Sequence, residues 1–134
     1  MDVLGAVATL RGALLAQSDV RSAWLFGSVA SGRARRDSDV DVGVWMEADC
    51  TFERLAELSA HLQRATGLPV DLLILNRATP LLALDAVNGV PILTCDEAAE
   101  LEWVLQVARD AEDWNVFIHS FVEERRRYRE AVRT

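Results

Sequence analysis

The sequence predicts an α/β (α+β) fold, a small mixed β-sheet flanked by helices, and three observations predict it. Segments with apolar residues every three to four positions alternate with short apolar or period-two runs, in the order helix–strand–helix–strand–helix–strand–helix–strand–helix. The 134 residues are 51% hydrophobic and 26% charged, which is enough apolar material for a self-sufficient core. No repeat, low-complexity tract or Pro/Gly-rich linker divides the chain. It therefore reads as a single domain over 1–134, with a core to about residue 95 and a C-terminal helical segment over about 96–134.

The elements follow in order. Val3 to Gln17 reads as a helix on the spacing of Val3, Val7, Leu10, Leu14 and Leu15. Ala23 to Phe26 is a short apolar run that stops at Gly27, as a buried strand does, and Ser28 to Gly32 has room only for a short helix or turn. Val40 to Trp45 alternates, with Val40, Val42 and Val44 on one side and Asp39, Asp41, Gly43 and Trp45 on the other; this is a strand. Phe52 to Thr66 has helical spacing and is stopped by Gly67 and Pro69. Val70 to Leu75 is apolar except for Asp71 and reads as a central strand. Pro80 to Val87 is a short helix ended by Asn88-Gly89, and Val90 to Leu93 an edge strand that tolerates Pro91. From Asp96 to the end there is neither Gly nor Pro. Asp96 can cap, and two apolar stripes run on, Leu101 to Ala111 and then Trp114, Phe117, Ile118, Phe121 and Val122. One long helix, or two broken near Asp110 to Asp113, is expected.

Charge and composition narrow the function. The net charge of −7 repels phosphate backbones and makes a nucleic-acid partner unlike this chain. Cys50 and Cys95 have no metal or redox spacing and read as free thiols. Met1-Asp2-Val3 lacks the basic start of a signal peptide and no run of about 20 apolar residues is present to span a bilayer, so a cytoplasmic location without membrane contact is expected. His61 and His119 have no ligand spacing and read as structural or surface residues. The four tryptophans read as core, with Trp45 also able to line a pocket because it shares a face with Asp41.

The chemistry lies between Leu25 and Val44. Gly27-Ser28 follows a strand and opens a short helix, where outward-pointing amides, a hydroxyl and a glycine's freedom suit a polyphosphate. Asp39 and Asp41 project from one face of a strand, about 7 Å apart at Cα, with nothing on that face to neutralise them. Their hard oxygens select a cation such as Mg²⁺ or Mn²⁺, unless the pair is simply solvated at a frayed strand start. Asp71 is the lone charge in Leu68 to Leu75. If its strand neighbours that of Asp39 and Asp41, three carboxylates converge, as in a two-metal site. Arg33, Arg35 and Arg36 follow the Gly-Ser turn; they could fork onto phosphate oxygens or merely balance the nearby aspartates.

Gly27-Ser28, ten residues, then Asp39-Val40-Asp41 resembles the signature of the DNA polymerase beta-like nucleotidyltransferases, and the short chain is similar to the minimal members of that superfamily, which act as antitoxins of the HEPN/MNT type. The resemblance implies a polymerase beta-like fold with Gly27 and Ser28 on the β- and γ-phosphates of a nucleoside triphosphate. It makes Asp39, Asp41 and Asp71 the catalytic residues and ligands of two Mg²⁺ ions, and Arg33 and Arg36 further nucleotide contacts. It implies ATP as substrate and transfer of AMP to a tyrosine hydroxyl of a partner HEPN-type RNase toxin, within a hetero-oligomer or homo-oligomer. The chain's brevity fits an acceptor brought by a docking protein, and the second stripe with the Arg125 to Arg133 end offers a surface for it. Two alternatives remain at this point: a small-molecule, antibiotic-type nucleotidyltransferase, and a stoichiometric, non-catalytic binding module.

Overall fold

A computed structural model describes residues 2–33 and 38–133. The elements are α1 (Val3–Leu15), β1 (Val20–Phe26), α2 (Gly27–Ala30), β2 (Val40–Met46), α3 (Phe52–Thr66), β3 (Val70–Ile74), α4 (Pro80–Val87), β4 (Val90–Thr94) and α5 (Glu97–Arg133), with a 3-10 turn over Leu75–Arg77. Local chemistry sets their limits. The Asp2 side chain accepts from the Gly5 amide and Thr51 from Arg54, each capping a helix start, and Gly67 takes a left-handed φ of 69° to end α3.

Among the described residues the four strands form one mixed sheet in the order β3-β2-β1-β4. β1 runs antiparallel to β2 and to β4, whereas β2 and β3 are parallel. A parallel pair needs a crossover, and α3 supplies it. The run over Val70 to Leu75 was expected to be a central strand; it lies at the sheet edge, with Leu75 in the 3-10 turn. Its apolar character has another source. Val70 and Ile74 are buried in the core shared with α1 and α3, and Leu73 packs toward the opposite face. Asn76 then occupies the edge position past β3: its side chain accepts from the Met46 amide at 2.8 Å and donates to the Met46 carbonyl at 2.9 Å.

Alternation in β2 sorts the two faces. Val40, Val42 and Val44 join Leu10, Leu14, Leu58 and Leu62 in the larger core, under α1 and α3. Gly43 and Trp45 face α4 and α5. A Cβ on Gly43 would press on Ala86 and Leu75, so the glycine lets α4 lie close to the sheet. Trp103 of α5 stacks on Trp45 at 4.9 Å and on Trp24 at 5.8 Å between ring centroids, fixing the helix across this face. Arg54 ties α3 to the start of β1, donating from Nε and Nη2 to the two Asp19 oxygens at 2.8 Å each. His61 has Nε2 3.1 Å from the Ala13 carbonyl, the structural role expected of it, and both cysteines are free.

The C-terminal segment is a single 37-residue helix without a break at Asp110 to Asp113. Good helix formers and the absence of Gly and Pro carry it through. Ala111 is buried, but from Glu112 to Val132 every residue except half-buried Glu123 is exposed, so about 20 residues of α5 overhang the core. No helix among the described residues is long and apolar enough to cross a membrane.

Candidate active site

One end of the sheet gathers the residues of interest. β1 runs outward there and ends at Phe26, while β2, β3 and β4 begin there. Phe26 is the cross-strand partner of Asp41, and Asp41 is the parallel partner of Asp71. In-register partners present their side chains to the same face, so Asp41 and Asp71 stand side by side on the face of α4 and α5.

Gly27 turns the chain from β1 into α2 with a φ of 73°, a conformation that glycine adopts without cost. It also makes room: a Cβ would fall on the Asp41 carboxylate. The turn and the carboxylate are thus packed against each other. Ser28 is half-buried in the first turn of α2. The turn closes on itself through Ser31 N–H to the Gly27 carbonyl at 3.2 Å and Arg33 N–H to the Ser28 carbonyl at 2.9 Å. Arg33 also donates from Nε to Ser31 Oγ at 3.1 Å, which holds its exposed guanidinium over the turn.

Asp41 is the electrostatic centre. Its carboxyl is held above the ordinary carboxylate value first by burial, then by the charges of Asp71 and Asp39, by a hydrogen bond with Asp71, and by the charge of Asp85. Three carboxylates therefore act on Asp41 at this end of the sheet. They are not equivalent. Asp41 and Asp71 touch; Asp39 precedes β2, is exposed, and acts on Asp41 through its charge. Among the described residues, no three His, Cys, Asp or Glu side chains form a ready-made metal shell.

Beside them opens a cleft of about 660 Å³. Gly27, Ser28, Ala30, Ser31 and Arg33 form one wall, Asp85 and Asn88 of α4 the other, and Phe26, Gly89 and Val90 the floor. Of the residues that the sequence singles out, the structure places Gly27, Ser28 and Arg33 in the cleft; Asp39, Asp41 and Asp71 are not among its lining residues, and Asp41 adjoins it through its contact with Gly27. Arg36 lies outside the described residues. Trp45 is buried in its stack with Trp103 and does not line this cleft.

Sequence reasoning missed Asp85, Asn88 and Gly89. A signal was present, since Asp85 is the lone charge of Pro80 to Val87, as Asp71 is of its own segment. Asn88-Gly89 reads only as a helix stop, yet a Cβ on Gly89 would run into the Leu25 carbonyl. That glycine, in the cleft floor, lets α4 close down on β1.

The model of the polymerase beta nucleotidyltransferase family matches residues 9–98, two-thirds of the chain, and includes every residue of this site. The protein adenylyltransferase MntA of Thermococcus cleftensis is 40% identical over 55 residues, 41% of this chain and 56% of that protein, so the match spans little more than half of the relative's length. Among solved structures, one chain of a toxin–antitoxin complex with AMP-PNP is similar with a TM-score of 0.77 at 21% identity, over 88% of this chain and 96% of that one. A chain of the complex between tri-AMPylated Shewanella oneidensis HEPN toxin and its MNT antitoxin is similar with a TM-score of 0.72 at 18% identity, over 90% and 96% of the two chains. A minimal nucleotidyltransferase is similar with a TM-score of 0.57 at 29% identity, over 67% and 94%. At 18% and 21% identity the likeness to the two complexes is one of fold.

Proposed function

We propose, since this chain belongs to the polymerase beta nucleotidyltransferase family, that it transfers AMP from ATP to a tyrosine hydroxyl of a partner HEPN-type toxin and is that toxin's antitoxin. The observation that carries the reading is the Asp41–Asp71 register pair, with Asp41 packed against the Gly27 turn, which lines a cleft of about 660 Å³. The resemblance to an MntA protein adenylyltransferase and the likeness of fold to a chain of a complex between an AMPylated HEPN toxin and its MNT antitoxin support the choice of acceptor.

The carboxylates fit a hard divalent cation. Two touching aspartates, one with a raised proton affinity, form a site of uncompensated negative charge that a cation relieves. Mg²⁺ binds through one or two protein carboxylates together with phosphate oxygens and water, so a complete protein shell is unnecessary before the nucleotide arrives. Asp41 and Asp71 would hold the metal and Asp39 would join them. Bound there, it would lower the acceptor hydroxyl's pKa and offset charge on the triphosphate.

The chain's own groups divide the remaining work. Amides of the Gly27–Ser28 turn and the Ser28 hydroxyl would hold the β- and γ-phosphates, with the Arg33 guanidinium offsetting their charge. The acceptor oxygen attacks the α-phosphorus, its bond to the β-phosphate bridging oxygen breaks, and pyrophosphate leaves. Asp71, at the strand edge beside Asp41, would orient the hydroxyl and receive its proton. The acceptor would be brought by docking on the α5 overhang, where Trp114, Ile118 and Phe121 lie exposed.

The test is to incubate the purified chain and toxin with ATP and Mg²⁺ and to weigh both intact. The toxin should gain AMP units, and Asp41→Asn should abolish the gain. An unmodified toxin, with AMP found instead on a small alcohol or a tRNA, would refute the toxin as acceptor.

A further inference from the structure

The α4 wall of the cleft carries two polar side chains that the proposed chemistry does not use. Asp85 lies in the last turn of α4 and Asn88, three residues on, is its C-cap with helical backbone angles, so the two fall on one face, and both line the cleft. Among the described residues neither side chain makes a hydrogen bond or ion pair within the protein. Asp85 is the only charged residue of α4, and its charge is felt at Asp41.

A carboxylate is a poor neighbour for a triphosphate, so this wall is not a second phosphate wall. Its groups accept hydrogen bonds, from either Asp85 oxygen and the Asn88 carbonyl, and Asn88 also donates. The natural match is a neutral group with two adjacent hydroxyls. Chemistry also fixes where such a group falls. The ribose 5′-oxygen is bonded to the phosphorus on which the carboxylates act, so the sugar must lie next to them, on the side away from the β- and γ-phosphates. In this cleft that side is α4. Resting on the reading of the cleft as a nucleoside triphosphate site, we propose that Asp85 and Asn88 bind the ribose 2′- and 3′-hydroxyls, making them the residues that select a ribonucleotide over a deoxyribonucleotide.

The experiment compares binding of ATP and 2′-deoxy-ATP, with Mg²⁺, to the full chain and its variants by calorimetry. The wild-type chain should prefer ATP by roughly 10-fold, the equivalent of one hydrogen bond to a charged acceptor. Asp85→Ala should reduce that preference to near unity while 2′-deoxy-ATP binds as well as before or better, because repulsion between the carboxylate and the phosphates is gone. Asp85→Asn, which keeps an acceptor, should retain part of the preference, and Asn88→Ala should narrow it to a lesser extent, because Asn88 acts on the same hydroxyl pair together with Asp85. Equal loss of both ligands in Asp85→Ala, or an undiminished preference for ATP, overturns the assignment and leaves the triphosphate site standing. If the wild-type chain binds neither triphosphate, the reading of the cleft itself fails along with it.

Discussion

Asp41 illustrates how one side chain reports a site's electrostatics. Burial and three neighbouring carboxylates raise its proton affinity, whereas the peptide reference does not feel them. Its folded value lies above its unfolded value. The associated stability is therefore fully present below the usual aspartate range, about pH 4, and is lost as pH rises through the folded value. At neutral pH the ionised carboxylate is a source of strain that a cation can offset. Asp41→Asn should leave the melting temperature at pH 7 without metal unchanged or higher, and the gap to wild type should close as pH falls below about 4. The same variant should lose the stabilisation given by Mg²⁺ with ATP and lower transfer by roughly 100-fold or more. Thermal melts across pH, with and without both ligands, read the three stability effects, and intact mass of the acceptor reads the transfer; marked destabilisation at pH 7 would make Asp41 a structural residue.

At the scale of elements, the β1–α2 turn is the part on which strand, helix and carboxylate depend together. Gly27→Ala would force an L side chain into a φ of 73° and push on Asp41. It should cost about 1–2 kcal/mol of stability and weaken ATP binding as well. Ser28→Ala should leave the melt alone and cost about 1 kcal/mol of ATP affinity, one net hydrogen bond. Equal affinity in both variants and wild type, by calorimetry, would remove this turn from the site. The turn was legible because glycine after an apolar strand has a single physical meaning there, and the limits of α3 and α4 were legible because Gly67 and Pro80 punctuate them. What was not legible depends on neighbours. Val70 to Leu75 reads as a central strand because its composition records burial on both faces and not the number of hydrogen-bonded partners. Asp85 and Gly89 come to the site only because α4 folds down on β1, a contact that no local pattern encodes.

Over the whole molecule, the cleft end of the sheet and the overhang are separate structures joined by α5. The helix buries Ala111 and stacks Trp103 against the sheet, then continues with Trp114 at 37%, Ile118 at 39% and Phe121 at 45% exposure on the same side. These three are spaced by four and three residues, continuing the face that Val107 and Ala111 bury. An apolar face that leaves its own core and runs on for about 15 Å is material for a docking partner. Arg125 to Arg127 and Arg129 follow it, with Arg125 lying 5.4 Å from the Phe121 ring centroid, and this basic end suits an acidic rim on a partner. Association through such a face rests on a few buried aromatic and aliphatic anchors. Ile118→Asp with Phe121→Asp should therefore reduce AMP transfer to the toxin by at least about 30-fold, the equivalent of 2 kcal/mol of anchor energy. ATP affinity should be unchanged, since the overhang contributes nothing to the cleft, and stability should stay within about 0.5 kcal/mol because both side chains face solvent in the free chain. Intact-mass kinetics at limiting toxin, with calorimetry on the same variant, separates the two ends. Full transfer by the double variant would move the docking surface off α5, whereas loss of ATP binding would mean that the overhang and the cleft are coupled through the helix.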